Sequence, residues 1–260
     1  MPAAANVPVV VEVAVDSVAG ALAAVAAGAH RLELCQGLEL GGLTPSVGLV
    51  EAVSAAVPVP VFAMLRPRAG DFLYDEREFA VLQRDAERCV AAGARGLVSG
   101  FLRNDGTLNR ARLRALRDLV PHVALTCHRA FDLCVDAFAA LDTLAELAWT
   151  RVLTSGQAAT APAGAAQIAA CVARAPAKLA VMCGAGVRAD NVAALVAATG
   201  VREVHLSATV WQPSAMAFRR PGVPMGATLP KDEYVRRCTD GVMVAAVMAN
   251  LRTAPRTGQP

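Results

Sequence analysis

The amino-acid sequence predicts an α/β protein built as one (β/α)8 TIM barrel spanning residues 1–260. Three observations carry that expectation. Short β-branched runs alternate with longer Ala- and Leu-rich helical patterns, eight times along the chain. Gly28, Gly93 and Gly200 stand where a helical pattern gives way to the next strand, where a left-handed C-cap is wanted. No G-x-G-x-x-G follows the first strand, which counts against a doubly wound dinucleotide-binding sheet.

The elements follow in order. Residues 9–14 read as the first strand, with Pro8 ahead of it, and Asp16-Ser17 caps a helix to about Ala27. Residues 31–35 form the second strand. The next helix starts from Gly41-Gly42-Leu43-Thr44-Pro45-Ser46, with Thr44 as its N-cap and Pro45 in its first turn. Residues 61–65 are the third strand, and Asp75-Glu76-Arg77-Glu78 has the form of a capping box opening a helix to about Ala92. Strands at 96–99, 123–127, 151–154, 179–183 and 203–207 complete the set. Helices separate them, ending near Leu119 and lying near 135–148, near 163–174 and, capped by Asp190, up to Ala198. Residues 208–238 break the repeat with Trp211, Met216, Phe218, Arg219, Arg220 and Tyr234. An excursion of that length is expected to be functional or an interface, which makes a homodimer or higher homo-oligomer the default. A last helix near 239–251 closes the barrel.

Composition narrows the class. With 55% hydrophobic and 18% charged residues the chain is too apolar to be disordered. No apolar run reaches the roughly 18–20 residues a membrane span needs, and with no basic region followed by an apolar stretch a signal peptide is not expected. The net charge is +3, with no basic block, so nucleic acid is not an expected partner. Seven cysteines at irregular spacing, with nothing to signal export, fit reduced thiols in a cytoplasmic protein.

Strands buried on both faces should be apolar, so polar residues in them carry information. Glu12, Glu33, Arg66 with Arg68, His128 with Asp132, Ser155-Gly156 and His205 all fall at or near C-terminal strand ends, where barrel enzymes place their sites. An unpaired buried carboxylate costs several kcal/mol. Glu12 and Glu33 therefore need partners, and Arg66 is the expected one. A structural ion-pair network plugging the barrel is the alternative to a functional site. Gly184 and Gly186 after the seventh strand and Ser207 after the eighth stand where barrels bind phosphate, although a glycine pair there can also be a tight turn.

These motifs together resemble the CutC family, the copper homeostasis proteins. The resemblance rests on Glu12-Val13-Ala14-Val15-Asp16-Ser17, Arg31-Leu32-Glu33-Leu34-Cys35, Gly41-Gly42-Leu43-Thr44-Pro45-Ser46, and Met64-Leu65-Arg66-Pro67-Arg68 with Gly70-Asp71-Phe72. His128-Arg129-Ala130-Phe131-Asp132 is its most specific part. Leu153-Thr154-Ser155-Gly156, Met225-Gly226-Ala227 and Glu233-Tyr234 continue it. It implies a (β/α)8 barrel, a cytoplasmic oligomer and a role in copper handling or binding. The chain departs from the family at three places. Ala14 stands where many members carry Cys, Cys127 replaces a residue that is usually Phe, and Met182-Cys183-Gly184-Ala185-Gly186 replaces a Pro-Gly-Gly-Gly pattern.

Two chemistries compete for the rim. Cu(I) wants thiolate or thioether ligands. There is no C-x-x-C, but Cys35, Cys127 and Cys183 all lie near C-terminal strand ends, with His128 and His205 at the same rim. Adjacent strand residues point to opposite faces, however, so Cys127 and His128 cannot both face inward within a strand. The competing reading is an enzyme of lyase or isomerase type acting on a small anionic or phosphorylated metabolite. Arg66 and Arg68 would hold the anion, with Ser155, Gly156, Gly184, Gly186 and Ser207. His128, oriented by Asp132 or a strand carboxylate, would be the general acid/base, and Glu12 or Glu33 its complement, with His205 a further catalytic candidate. Lys178 falls at the wrong end of the barrel and Lys231 in the tail, so a Schiff-base lysine is not expected. No motif for a nucleotide cofactor appears.

Overall fold

A computed structural model describes residues 8–223 and 232–253. The resembling motif Met225-Gly226-Ala227 and Lys231 lie outside the described residues. Eight parallel strands close in sequence order: β1 (Val10–Val15), β2 (Arg31–Leu34), β3 (Val61–Met64), β4 (Gly96–Ser99), β5 (Ala124–Cys127), β6 (Arg151–Thr154), β7 (Ala180–Cys183) and β8 (Glu203–Leu206), which pairs back to β1. The outer ring holds α1 (Val18–Ala26), α2 (Val47–Ala56), α3 (Glu76–Ala91), α4 (Arg110–Leu119), α5 (Ala137–Glu146), α6 (Ala165–Arg174), α7 (Val192–Thr199) and α8 (Gly241–Thr253). This is the (β/α)8 barrel the alternation predicts.

Helix starts follow local hydrogen-bond chemistry. Ser17 Oγ accepts from Gly20 N at 3.2 Å, and the Asp75/Glu78 capping box forms with both of its bonds. Two expected caps are corrected. Ser46 caps α2, accepting from Leu49 N, while Thr44 Oγ1 accepts from Arg66 N at 2.9 Å and ties the β2 loop to β3. Asn191 occupies the N-cap of α7, and Asp190 pairs with Arg188 instead. The chain turns out of α7 at Gly200, whose φ of 72° is the left-handed conformation a glycine there supplies without a steric cost.

Side chains alternate between two faces of the barrel sheet. Val11, Val13, Leu32, Leu34, Leu97, Leu125, Val152, Val181 and Val204 point outward into one apolar cluster shared with the helices. The opposite parity fills the barrel: Glu12, Arg31, Glu33, Phe62, Met64, Thr126, Arg151, Met182, Glu203 and His205 share the residue rows set by strand register. The core is therefore an apolar sleeve around a centre where charged side chains share the space with Phe62, Met64, Val98 and Met182.

The excursion expected over 208–238 runs to Thr239 as an antiparallel strand pair, β9 (Thr209–Pro213) with β10 (Val235–Thr239), and Trp211 and Phe218 are 57% and 63% exposed. Among the described residues no helix is long and apolar enough to cross a membrane.

Candidate active site

Strand register places Glu12 beside Arg31 on one neighbouring strand and His205 on the other. Its Oε2 accepts from Arg31 Nε, and its Oε1 lies 2.8 Å from His205 Nδ1. Burial alone would raise the Glu12 carboxyl, but the Arg31 guanidinium and the His205 ring hold it down at about 2. Arg31 Nη2 also donates to Glu203 Oε2 at 2.6 Å and approaches Met182 Sδ at 3.3 Å, and Arg151 forks onto Glu203. Glu12, Arg31, Glu203 and Arg151 thus form a chain of alternating charge through the lower barrel, each charge meeting its opposite in a site too dry to leave one unpaired. Arg66 is corrected as the partner of the two strand glutamates. Its Nη1 donates to the carbonyls of Leu40 and Gly42, and its Nη2 to that of Gly70.

Above this plug a cavity of about 730 Å³ opens at the C-terminal mouth. Glu33 and His205 reach it from below, Arg66, Phe72 and His128 line one wall, and Gly186 and Ser207 line another. Glu33 Oε2 accepts from Cys35 Sγ at 3.5 Å and lies 3.7 Å from His205 Nε2. Glu33 Oε1 is buried and has no partner. Burial, with the Glu12 charge adding to it, pushes the Glu33 carboxyl up. Burial works against the charged His205 ring, but the Glu33 charge and the Glu12 hydrogen bond outweigh it and raise its pKa. An acid and a base both shifted toward neutrality therefore face each other at the cavity floor.

His128 differs in kind. Its Nδ1 accepts from Ala130 N at 3.3 Å, which puts the ring proton on Nε2, an atom that is buried without a partner in a residue that lines the cavity. Burial and the Arg66 charge lower its pKa to about 3. That shift favours the neutral ring near pH 7. Asp132 does not orient it. That carboxylate accepts from Thr154 Oγ1 at 2.5 Å, from the N–H groups of Ser155 and Gln157, and from Arg129.

Other expected anion ligands are spent elsewhere. Arg68 is held by Glu78, Asp71 and the Leu73 carbonyl. Ser155 Oγ bonds Asp132 and the Ala158 carbonyl, and Gly156 N donates to Thr154 Oγ1. Gly184 N donates to the Thr154 carbonyl, and a Cβ at Gly184 would lie 2.6 Å from Leu153 and 3.2 Å from His205, so this glycine lets β7 close on the histidine. Arg66, Gly186 and Ser207 remain at the cavity.

The three cysteines do not converge. Cys127 and Cys183 point outward into the apolar sleeve, while Cys35 lies inside the barrel with Phe62, Met64 and Val98. Burial pushes all three thiols up, Cys183 to about 12. The group of metal-donor side chains the described residues do bring together is Glu12, Glu33 and His205. Arg31, Arg151 and Glu203 were not anticipated. For Arg31 and Glu203 the available signal was their parity with Glu33 and His205 on the same strands.

A parallel (β/α)8 barrel with a cavity at its C-terminal mouth, lined by charged and apolar side chains together, is the layout of barrel proteins that carry their chemistry on the βα loops. The chain belongs to the CutC family, whose model matches residues 9–210. It is 41% identical over 238 residues to a human protein named copper homeostasis protein cutC homolog, covering 92% of this chain and 87% of that protein. A CutC family protein of Vibrio vulnificus strain YJ016 is 46% identical over 227 residues, covering 86% and 90%. Among solved structures, a CutC protein of Streptococcus agalactiae superposes with a TM-score of 0.73 at 28% identity, covering 76% of this chain and 97% of that one. Thiamine phosphate pyrophosphorylase of Pyrococcus furiosus, at 12% identity and a TM-score of 0.57 over 95% of this chain and 96% of that one, shares the fold.

Proposed function

We propose that the barrel mouth is an active site that moves a proton on a small anionic metabolite. The observation that carries this reading is His205, held at Nδ1 by the ionised Glu12 and facing Glu33 with Nε2. Glu12 fixes the tautomer, leaving Nε2 and the Glu33 carboxyl to take up and return the proton. The neutral His128 Nε2–H donates to an oxygen on which charge develops, and the Arg66 guanidinium beside it adds positive potential. This arrangement suits proton transfer at a carbon next to a carbonyl.

The test begins with a melting-shift screen of anionic metabolites. Ligands that raise the melting temperature are then incubated with the protein in deuterium oxide. Deuterium entering a carbon–hydrogen bond with wild type, and not with Glu33→Gln or His205→Asn, is the expected outcome. No exchange in any stabilising ligand overturns the reading.

One observation favours a second reading, in which a copper ion is the cargo of a cytoplasmic protein. Cys35 Sγ and Met64 both approach Gly42, at 2.9 and 3.5 Å from a Cβ built there, and Met64 and His205 both line the cavity. A thiol, a thioether and an imidazole are donors Cu(I) accepts. Titration against a competing Cu(I) chelator should then show tight binding that Cys35→Ser abolishes and Cys183→Ser leaves intact. Equal binding by wild type and Cys35→Ser removes this reading.

A further inference from the structure

The loops after β7 and β8 meet at one end of the cavity, four strands round the barrel from the Arg66 wall. Among the described residues, the backbone N–H groups of Ala185, Gly186, Val187, Ser207 and Ala208 donate to no protein acceptor. Ala185 has φ 72°, Gly186 80° and Ala208 43°. Two of these are alanines, so the left-handed turns are held against a steric cost, a pattern that gathers at ligand-binding loops. Successive N–H groups in such turns form a concavity for anions. Arg188 and Arg237 line the same end. Arg188 is paired with the Asp190 carboxylate at 3.3 Å, and Arg237 donates to Thr209 Oγ1, so both keep N–H groups to spare. Arg66 and His128 line the same cavity, and each has one buried polar atom without a partner, Nε and Nε2.

A carboxylate offers two oxygens in one plane. Five uncommitted N–H groups arriving from two strands suit a tetrahedral oxyanion with three outward oxygens. The cavity of about 730 Å³ leaves room for the rest of a small molecule to reach Glu33 and His205. We propose that the Ala185–Val187 and Ser207–Ala208 loops bind the phosphate of a small phosphomonoester whose other end meets Glu33, His205 and His128. This inference rests on reading the mouth as an active site and names the substrate class of that site.

The test is an amide-resolved NMR titration of the full chain with inorganic phosphate, glycerol 3-phosphate and glycerol. Glycerol 3-phosphate should shift the five amides, and glycerol should not. Ser207→Ala keeps the backbone donors and should bind within about twofold of wild type. Ser207→Asp places a like charge in the cradle and should weaken binding at least about tenfold, with an unchanged amide spectrum elsewhere to show that it folds. Shifts confined to other residues, or equal binding by Ser207→Asp, overturn the assignment. Binding of inorganic phosphate without the monoester overturns the monoester and leaves a free-anion site. The two readings fail separately. Phosphate binding without deuterium exchange in any ligand keeps the cradle and removes the chemistry. Exchange in an unphosphorylated anion that glycerol 3-phosphate does not displace does the reverse.

Discussion

His205 depends on both of its neighbours. Glu12 accepts its Nδ1 proton, and Glu33 supplies the larger of the two charges that raise its pKa against the cost of burial. Neutralising Glu33 removes that charge and leaves the burial. The His205 ring of Glu33→Gln is therefore expected to titrate at lower pH than in wild type, read from its imidazole resonances. His128 in the same spectra should stay neutral well into the acid range, since burial and Arg66 take its pKa to about 3. An unmoved His205 titration would show that Glu33 does not set the charge of the ring. The two histidines look alike in the sequence, each near the C-terminal end of a strand. What separates them is which groups surround the ring: two carboxylates in one case, a guanidinium and a phenyl ring in the other, with the Phe72 and His128 centroids 4.6 Å apart.

At the scale of elements, the barrel holds its shape by pairing large with small residues across neighbouring strands. Phe62 on β3 lies in register with Gly96 on β4, and a Cβ at Gly96 would meet three atoms of the Phe62 ring at 2.5–2.6 Å. Gly96→Ala is expected to destabilise the fold by about 1–3 kcal/mol, the usual cost of overpacking. Phe62→Leu in the same chain should recover part of it, as urea denaturation can measure. The strands themselves were legible because the outward parity is a run of Val and Leu. The inward parity was legible only in part. Glu12, Glu33 and His205 stand out inside apolar runs, but Arg31, Arg151 and Glu203 open their strands and read as surface residues. Their pairing depends on strand stagger, which sets Glu12 beside Arg31 and Arg151 beside Thr126. Arg66 was misassigned because nearness to a strand end says nothing of which carbonyls a folded loop will offer. The β9–β10 hairpin was missed because its strands lie far apart in sequence with no short turn between them.

For the molecule as a whole, these buried groups link folding to pH, and the signs differ. The folded pKa of His128 is depressed to about 3, so between there and the unfolded value of roughly 6.5 the unfolded chain binds a proton that the folded chain refuses. Stability falls as pH drops through that window. Glu12, held at about 2, adds an acid loss that begins below the unfolded carboxylate value of roughly 4.3. His205 runs the other way. Its folded pKa is raised, so its contribution is fully present below roughly 6.5 and is lost as pH rises through the folded value. Replacing one histidine at a time isolates each limb. Relative to His128→Gln, wild type should lose up to about 1.4 kcal/mol of stability per pH unit on acidification from 6.5 toward 4, one proton's worth of linkage. Relative to His205→Gln, wild type should lose stability on raising the pH above 6.5. Urea denaturation of the three proteins across pH 4 to 8.5 reads both differences. Each depends on the slope of stability with pH, so any constant cost of the substitution drops out. Parallel profiles for wild type and His128→Gln would mean that His128 takes up its proton in the folded barrel, and its role as a neutral donor would fall with that result.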